Sequence, residues 1–155
     1  MAKEIERKFL VVDDSYLPMA AGAVKIAQGY ISLRPEGTVR VRLKGDRGFL
    51  TVKGITTGGT TRDEWGYPIP AEDAVQMLER VTEGVVIAKT RYEVPFGGKV
   101  WEVDRFEGPL SWLTLAEVEL SDPSEQPELP PFVGEEVTGN PRYYNSSLAS
   151  LVTPD

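Results

Sequence analysis

The 155-residue chain contains neither cysteine nor histidine and carries a formal net charge of −7. These counts exclude disulfides, thiolate nucleophiles, imidazole bases and cysteine- or histidine-ligated metals, so any metal must be held by oxygen, which favours Mg²⁺, Mn²⁺ or Ca²⁺. The acidic total argues against a general nucleic-acid surface, which needs exposed Lys and Arg, and the length predicts a single domain over residues 1–155 with a sizeable core.

Lys3 to Val11 reads as a strand whose alternation puts Glu4, Glu6 and Lys8 on one face and Ile5, Phe9 and Val11 on the other. Met1-Ala2-Lys3-Glu4 in front of it lacks the apolar stretch of a signal peptide, and no segment is apolar for long enough to span a bilayer. The expectation is a cytoplasmic protein with no membrane partner. Further strands are predicted over Ala23 to Leu33, Thr38 to Lys44, Phe49 to Thr56 and Thr61 to Ile69, with Gly45-Asp46-Arg47-Gly48 supplying a hairpin turn. A helix follows over Ala71 to Arg80, where Ala74, Val75, Leu78 and Val81 recur at helical spacing after Pro70.

Strands then resume over Val85 to Val94, Lys99 to Phe106 and Leu113 to Leu120, the first two separated by Phe96-Gly97-Gly98. Ser121 to Pro131 is too proline-rich for a central strand and is expected to be an acidic surface loop. Arg142 to Leu151 is predicted as a short terminal helix. Short strands without alternating helices give an all-β-dominated fold, an antiparallel sandwich or barrel.

The strand phases carry more than the composition. Arg40, Arg42 and Lys44 share one face of their strand, Lys89 and Arg91 share one face of theirs, and Lys53 adds a further cation. Glu102 with Asp104, and Glu117 with Glu119, repeat the acidic version of the same alternation. Two arrangements satisfy these phases. The charged faces are either the wet outside of a sheet, paired across strands for a fraction of a kcal/mol each, or the lining of a barrel whose outside is covered by helices, loops or a partner subunit. Charge alternation alone favours the wet sheet; against it, one helix and a short tail cannot cover an eight-stranded sheet alone, and the barrel fits the phases as well.

The Glu-x-Glu-x-Lys of Glu4, Glu6 and Lys8 resembles the signature of the CYTH family, the triphosphate tunnel metalloenzymes. The resemblance extends through Gln28-Gly29-Tyr30-Ile31, Thr38 to Arg42, Leu50 to Gly54, Glu64, Lys89-Thr90-Arg91, Trp101 to Phe106, Glu117-Val118-Glu119 and Tyr144-Asn145. It implies a closed antiparallel eight-stranded β-barrel, flanked by one or two helices, whose charged tunnel binds a triphosphate with divalent metal. The chain looks most like the short bacterial members with inorganic triphosphatase activity.

The resemblance places Lys8, Arg40, Arg42, Lys53, Lys89 and Arg91 in a cradle for the triphosphate, a role suited to the bidentate fork of Arg and the compact charge of Lys. It places Glu4, Glu6, Glu117 and Glu119 around a first Mg²⁺ or Mn²⁺, with Glu64 or Asp104 at a second. Glu102 and Asp104 could instead pair with cradle arginines, and Lys44 suits a solvated strand end. With no histidine, the nucleophile is assigned to metal-activated water. Lys8 would orient or protonate the scissile group with Tyr30 beside it, although Tyr30 fits a structural place in the wall equally well.

The implied reaction is cleavage of inorganic tripolyphosphate to pyrophosphate and phosphate. An adenylate cyclase, a thiamine triphosphatase and a non-catalytic polyphosphate-binding module use the same cradle and remain alternatives. Trp65, Trp101 and Trp112 are expected to pack outside the barrel rather than to stack bases, Arg142 to Asn145 to anchor the terminal segment over one tunnel mouth, and a homodimer is compatible with the family.

Overall fold

In the computed structural model, which describes residues 2–58, 61–145 and 147–148, nine strands and one α-helix follow in order. The strands are β1 (Ala2–Val11), β2 (Gly22–Ser32), β3 (Thr38–Lys44), β4 (Arg47–Lys53), β5 (Thr61–Ile69), β6 (Glu83–Phe96), β7 (Lys99–Phe106), β8 (Thr114–Glu119) and β9 (Val133–Glu136), and α1 (Ala71–Arg80) lies between β5 and β6. Every pairing is antiparallel, in the order β5-β4-β3-β2-β6-β7-β8-β1-β9, and a further β5–β1 pairing closes the first eight strands into a barrel.

Closure depends on how β1 divides its edges. Lys3 and Glu4 pair with Asp63 and Arg62 of β5, while Glu6 to Leu10 pair with Glu119 to Leu115 of β8. Beyond the β5 contact, β9 takes up the free edge of β1, with Phe9 opposite Glu136 and Val11 opposite Val133. The chain after β9 continues this seal: the Lys8 amide donates to Thr138 Oγ1 at 2.9 Å and the Val137 amide to Lys8 O at 2.8 Å. A closed barrel leaves no open edge for a foreign strand.

The alternation separates two apolar cores. Phe9, Trp101, Val103, Ala116 and Val118 lie on the outward face of β1, β7 and β8 and pack under Tyr16 and Phe132. The Phe9 and Trp101 rings lie 5.6 Å apart. Tyr30, Ile87, Phe106 and Leu115, on the same faces of their strands as the charged residues, form the second core with Leu110, Leu113, Val137 and Leu148. The interior is therefore charged along part of its length and filled with hydrocarbon along the rest. Helix α1 lies against β3 and β4. Gly48 makes that approach possible, since a Cβ there would sit 2.9 Å from Ala74 Cβ and 2.9 Å from Ile69 O.

The strands over Thr38–Lys44, Thr61–Ile69 and Lys99–Phe106 and the helix Ala71–Arg80 fall where the sequence places them. Strand β9 is not anticipated, because four residues between prolines and a turn are too few for periodicity to register. Within the expected terminal helix, Pro141–Tyr143 forms a 3-10 turn, Asn145, Ser147 and Leu148 are helical, with the Leu148 amide donating to Tyr144 O at 2.9 Å, and residues 146 and 149–151 lie outside the described residues. The Ser121 to Pro131 loop is mostly exposed, as expected, but Glu125 ties it down by accepting from the Ser121 amide at 2.7 Å and pairing with Lys99 at 2.6 Å. Trp101 is fully buried on the outer face, whereas Trp65 and Trp112 are exposed.

Candidate functional site

A chamber of about 280 Å³ opens inside the charged part of the barrel, lined by Lys3, Glu4, Glu6, Arg40, Arg42, Lys53, Glu64, Arg91, Glu102, Glu117, Glu119 and Asn145. Glu4, Glu6, Arg40, Lys53 and Asn145 also border a smaller recess of about 60 Å³, which continues to Lys8, Tyr30, Thr38, Thr51, Thr56, Arg62, Val137, Thr138, Gly139 and Tyr144. Antiparallel register brings the groups together: Glu6 lies opposite Glu119, Lys8 opposite Glu117, and Glu102 opposite Glu117.

The cations fall into two kinds. Lys53 Nζ donates to Glu4 Oε2 at 2.6 Å, and Lys8 Nζ lies 3.9 Å from Glu117 Oε1. Arg91 donates from Nε and Nη2 to Asp104 at 2.8 and 2.9 Å, and from Nη1 to Glu102 at 3.2 Å. Arg40 and Arg42, by contrast, have no carboxylate within 4.0 Å among the described residues. Arg40 Nη2 donates only to Thr51 Oγ1 at 3.4 Å, and its Nε is buried without a partner. Arg42 is held by Gln28, whose Oε1 accepts from Nε at 3.0 Å and from Nη2 at 2.7 Å. A neutral amide thus fixes the guanidinium without cancelling its charge. Burial, with Arg40 and Arg91 nearby, pulls the Arg42 pKa down to about 9. Uncompensated buried charge of this kind is costly alone and favours an anion.

The carboxylates show the complementary strain. Glu6 is held well above the usual carboxylate range by burial and by the neighbouring charges of Glu117 and Glu4. Its hydrogen bond with Glu117 adds to the rise. Burial also works on Glu117, but Lys8, the Glu6 hydrogen bond and the arginine and lysine of β6 outweigh it and keep Glu117 ionised. Glu4 and Glu64 form a second such pair: burial and the bond to Glu4 raise Glu64, while Lys53 overcomes burial and lowers Glu4. Two carboxyl–carboxyl pairs in one chamber, each with a raised member, are what a hard divalent cation would replace a proton in. Among the described residues no three carboxylates already close round one point. The donor set therefore fits a divalent ion by chemistry, with side-chain rotation needed to complete its coordination.

Lys89 and Asp104 differ from the sequence expectation. Neither lines the chamber: Lys89 is wholly buried and Asp104 is 1% exposed. Lys89 Nζ donates to Asp104 Oδ2 at 2.6 Å and faces the Phe106 ring at 5.4 Å. With both Asp104 oxygens already accepting from Lys89 and Arg91, Asp104 is saturated and not free to ligate a metal. The pairing considered for it from sequence is the one found, and Glu102 likewise pairs with Arg91. Tyr30, buried in the apolar end, does not bond Lys8, which donates instead to Tyr143 O at 3.0 Å. Lys44 lines neither cavity. Arg62, Gln28 and Asn145 are site residues that charge alternation alone does not single out, since Gln28 and Asn145 are uncharged and Arg62 sits beside acidic Asp63 and Glu64.

A closed barrel with this lining matches known proteins along its whole length. The family model described as the CYTH domain matches residues 2–150, and the chain belongs to that family. It is 47% identical over 148 residues to an inorganic triphosphatase of Acetivibrio thermocellus, covering 96% of this chain and 94% of the relative. It is 40% identical over 151 residues to an inorganic triphosphatase of Nitrosomonas europaea, covering 94% and 96%. A crystal structure described as an inorganic triphosphatase superposes with a TM-score of 0.66 at 36% identity, covering 100% of this chain and 99% of that one. A Pyrococcus horikoshii protein at 21% identity, with a TM-score of 0.62 over 77% of this chain and 80% of its own, shares the fold.

Proposed function

We propose that the protein is a divalent-metal-dependent hydrolase that cleaves inorganic tripolyphosphate to pyrophosphate and phosphate inside the barrel, acting as one domain. The observation that carries this reading is the pair of buried guanidiniums, Arg40 and Arg42, left without carboxylate partners among the described residues, beside the carboxyl pairs Glu6–Glu117 and Glu4–Glu64. Near-full-length identity to two inorganic triphosphatases supports it. The alternative of an anion-binding module without turnover is disfavoured by the same carboxylates, whose negative charge would only weaken a pure binder.

In this reading Arg40 and Arg42 clamp phosphoryl oxygens in bidentate fashion, and Lys53, Lys8 and Arg91 add charge from the surrounding strands. Lys89 acts through Arg91 and Asp104, as part of the scaffold beneath the chamber. Glu4, Glu6, Glu117 and Glu119 would hold a divalent ion, Mg²⁺ or Mn²⁺, and Glu64 a second. Such an ion, when bound, would supply Lewis-acid charge and lower the pKa of water so that its deprotonated, nucleophilic form is available near neutral pH. Lys8, fixed between Glu117 and Tyr143 O, is placed to stabilise charge developing on the phosphoryl oxygens, and its pKa stays raised because Glu117 and Glu6 more than offset burial.

Saturating tripolyphosphate is expected to raise the melting temperature, corresponding to about 2.7 kcal/mol when free ligand is roughly 100 times its Kd. Calorimetric melts with tripolyphosphate, ATP and thiamine triphosphate in parallel check this. The largest shift should come from tripolyphosphate; a larger shift with ATP or thiamine triphosphate would transfer the assignment to one of those substrates.

A further inference from the structure

The recess beyond the main chamber contains a cation that the cradle described above does not use. Arg62 lies on β5, half-buried, with its guanidinium in the recess wall. Its Nε donates to Gly54 O at 2.9 Å and its Nη2 to Thr38 Oγ1 at 3.3 Å. Both partners are neutral, and among the described residues no carboxylate comes within 4.0 Å of it. A guanidinium carries five N–H donors, so these bonds fix its plane, and among the described residues its Nη1 edge has no partner.

The chain's structural arginine has a different environment. Arg7, on the outer face of β1, forks onto Glu136 at 2.8 and 2.6 Å and is neutralised there. Arg62 shares instead the condition of Arg40 and Arg42: oriented by neutral oxygens, charge intact. Besides Arg62 the recess is lined by three further cations, Lys8, Arg40 and Lys53, by the two acidic residues Glu4 and Glu6, and by hydroxyl-bearing side chains, and it joins the main chamber at Arg40 and Lys53. Four cations against two carboxyls, with hydroxyl donors beside them, suit a tetrahedral oxyanion. The recess, about 60 Å³, has room for more than one water and hence for a phosphoryl group.

We propose that Arg62 is a phosphate-binding residue and that the recess seats one end phosphoryl group of an inorganic triphosphate, continuing the line of guanidiniums from Arg42 through Arg40. The assignment rests on the triphosphatase reading and sharpens it by naming the residue that receives one end of the triphosphate.

The test compares wild type, Arg62→Gln, Arg62→Lys and, as a control for lost surface charge, Arg34→Gln, by Mg²⁺-dependent phosphate release from tripolyphosphate. Arg62→Gln should raise KM about 10- to 100-fold, the loss of a charged hydrogen-bonding contact, with a smaller effect on kcat. Arg62→Lys should recover part of that loss, since it returns the charge without the fork, and Arg34→Gln should leave KM unchanged. A lower melting temperature with KM unaltered in Arg62→Gln would reduce Arg62 to a strut for Gly54 and overturn the proposal. Should the variants fail to fold, the arginine Nε–H NMR signals of the wild-type protein serve instead, with that of Arg62 required to shift on adding tripolyphosphate and an unmoved signal overturning the seat. A wild-type protein that neither binds nor cleaves tripolyphosphate would instead sink the triphosphatase reading itself.

Discussion

Glu117→Gln is expected to lower kcat for tripolyphosphate by about 10²- to 10³-fold, the range found when one preorganised electrostatic contact to a transition state is lost. Glu117 sits where the site's interactions meet: it faces Lys8, hydrogen-bonds Glu6, and stays ionised because Lys8, the Glu6 bond, Arg91 and Lys89 outweigh its burial. Glutamine keeps the size and the hydrogen-bonding capacity but removes the charge. Lys8 then loses its carboxylate, and the proposed metal site loses its most strongly ionised donor. Steady-state kinetics over a range of Mg²⁺ concentration check this: activity should remain low at saturating metal, measured at a temperature where circular dichroism shows the variant to be folded. Activity near the wild-type level would remove Glu117 from the site.

Asp104→Asn is expected to act on stability first. Asp104 is the anion between two buried cations, and removing its charge leaves Lys89 and Arg91 facing each other in low dielectric. Breaking a buried pair in this way costs about 3–5 kcal/mol, which for a chain of this size is a drop of roughly 6–20 °C in melting temperature. The pH dependence distinguishes this cause from poor packing. Burial already pulls the Lys89 pKa down to about 7 against the attraction of Asp104. Without that attraction it falls further, so between the variant's value and 7 the wild-type fold binds a proton that the variant does not. The deficit of Asp104→Asn should therefore be largest in acid, narrow as the pH rises towards 7, and stay constant above it. Thermal melts across this range would show a pH-independent deficit if packing alone were responsible.

Both results turn on distinctions that strand alternation cannot draw. Period-two patterning places Glu4, Glu6, Lys8, Arg40, Arg42, Lys53, Arg91, Glu117 and Glu119 on inward faces, and these residues do meet, all but Lys8 in one chamber and Lys8 in the recess that adjoins it. The same pattern puts Lys89 and Asp104 on that face, yet depth along the barrel separates a lining group from a buried ion pair. Depth depends on strand tilt and register, which alternation leaves free. Tyr30 and Leu115 follow the same phase into the apolar end, so one face is legible as inward without its polarity being uniform. Arg62 and Gln28 escape for another reason. Their roles are set by what they touch, a backbone carbonyl, a threonine and another arginine, and no residue type or spacing announces those partners.

The most direct measurement of the central claim is ³¹P NMR of the products formed from tripolyphosphate and, in parallel, from ATP, with Mg²⁺ or Mn²⁺ and with a chelator. The account predicts equimolar pyrophosphate and orthophosphate from tripolyphosphate only when metal is present. Cyclic AMP and pyrophosphate from ATP as the dominant products, or intact tripolyphosphate with every divalent metal offered, would contradict it.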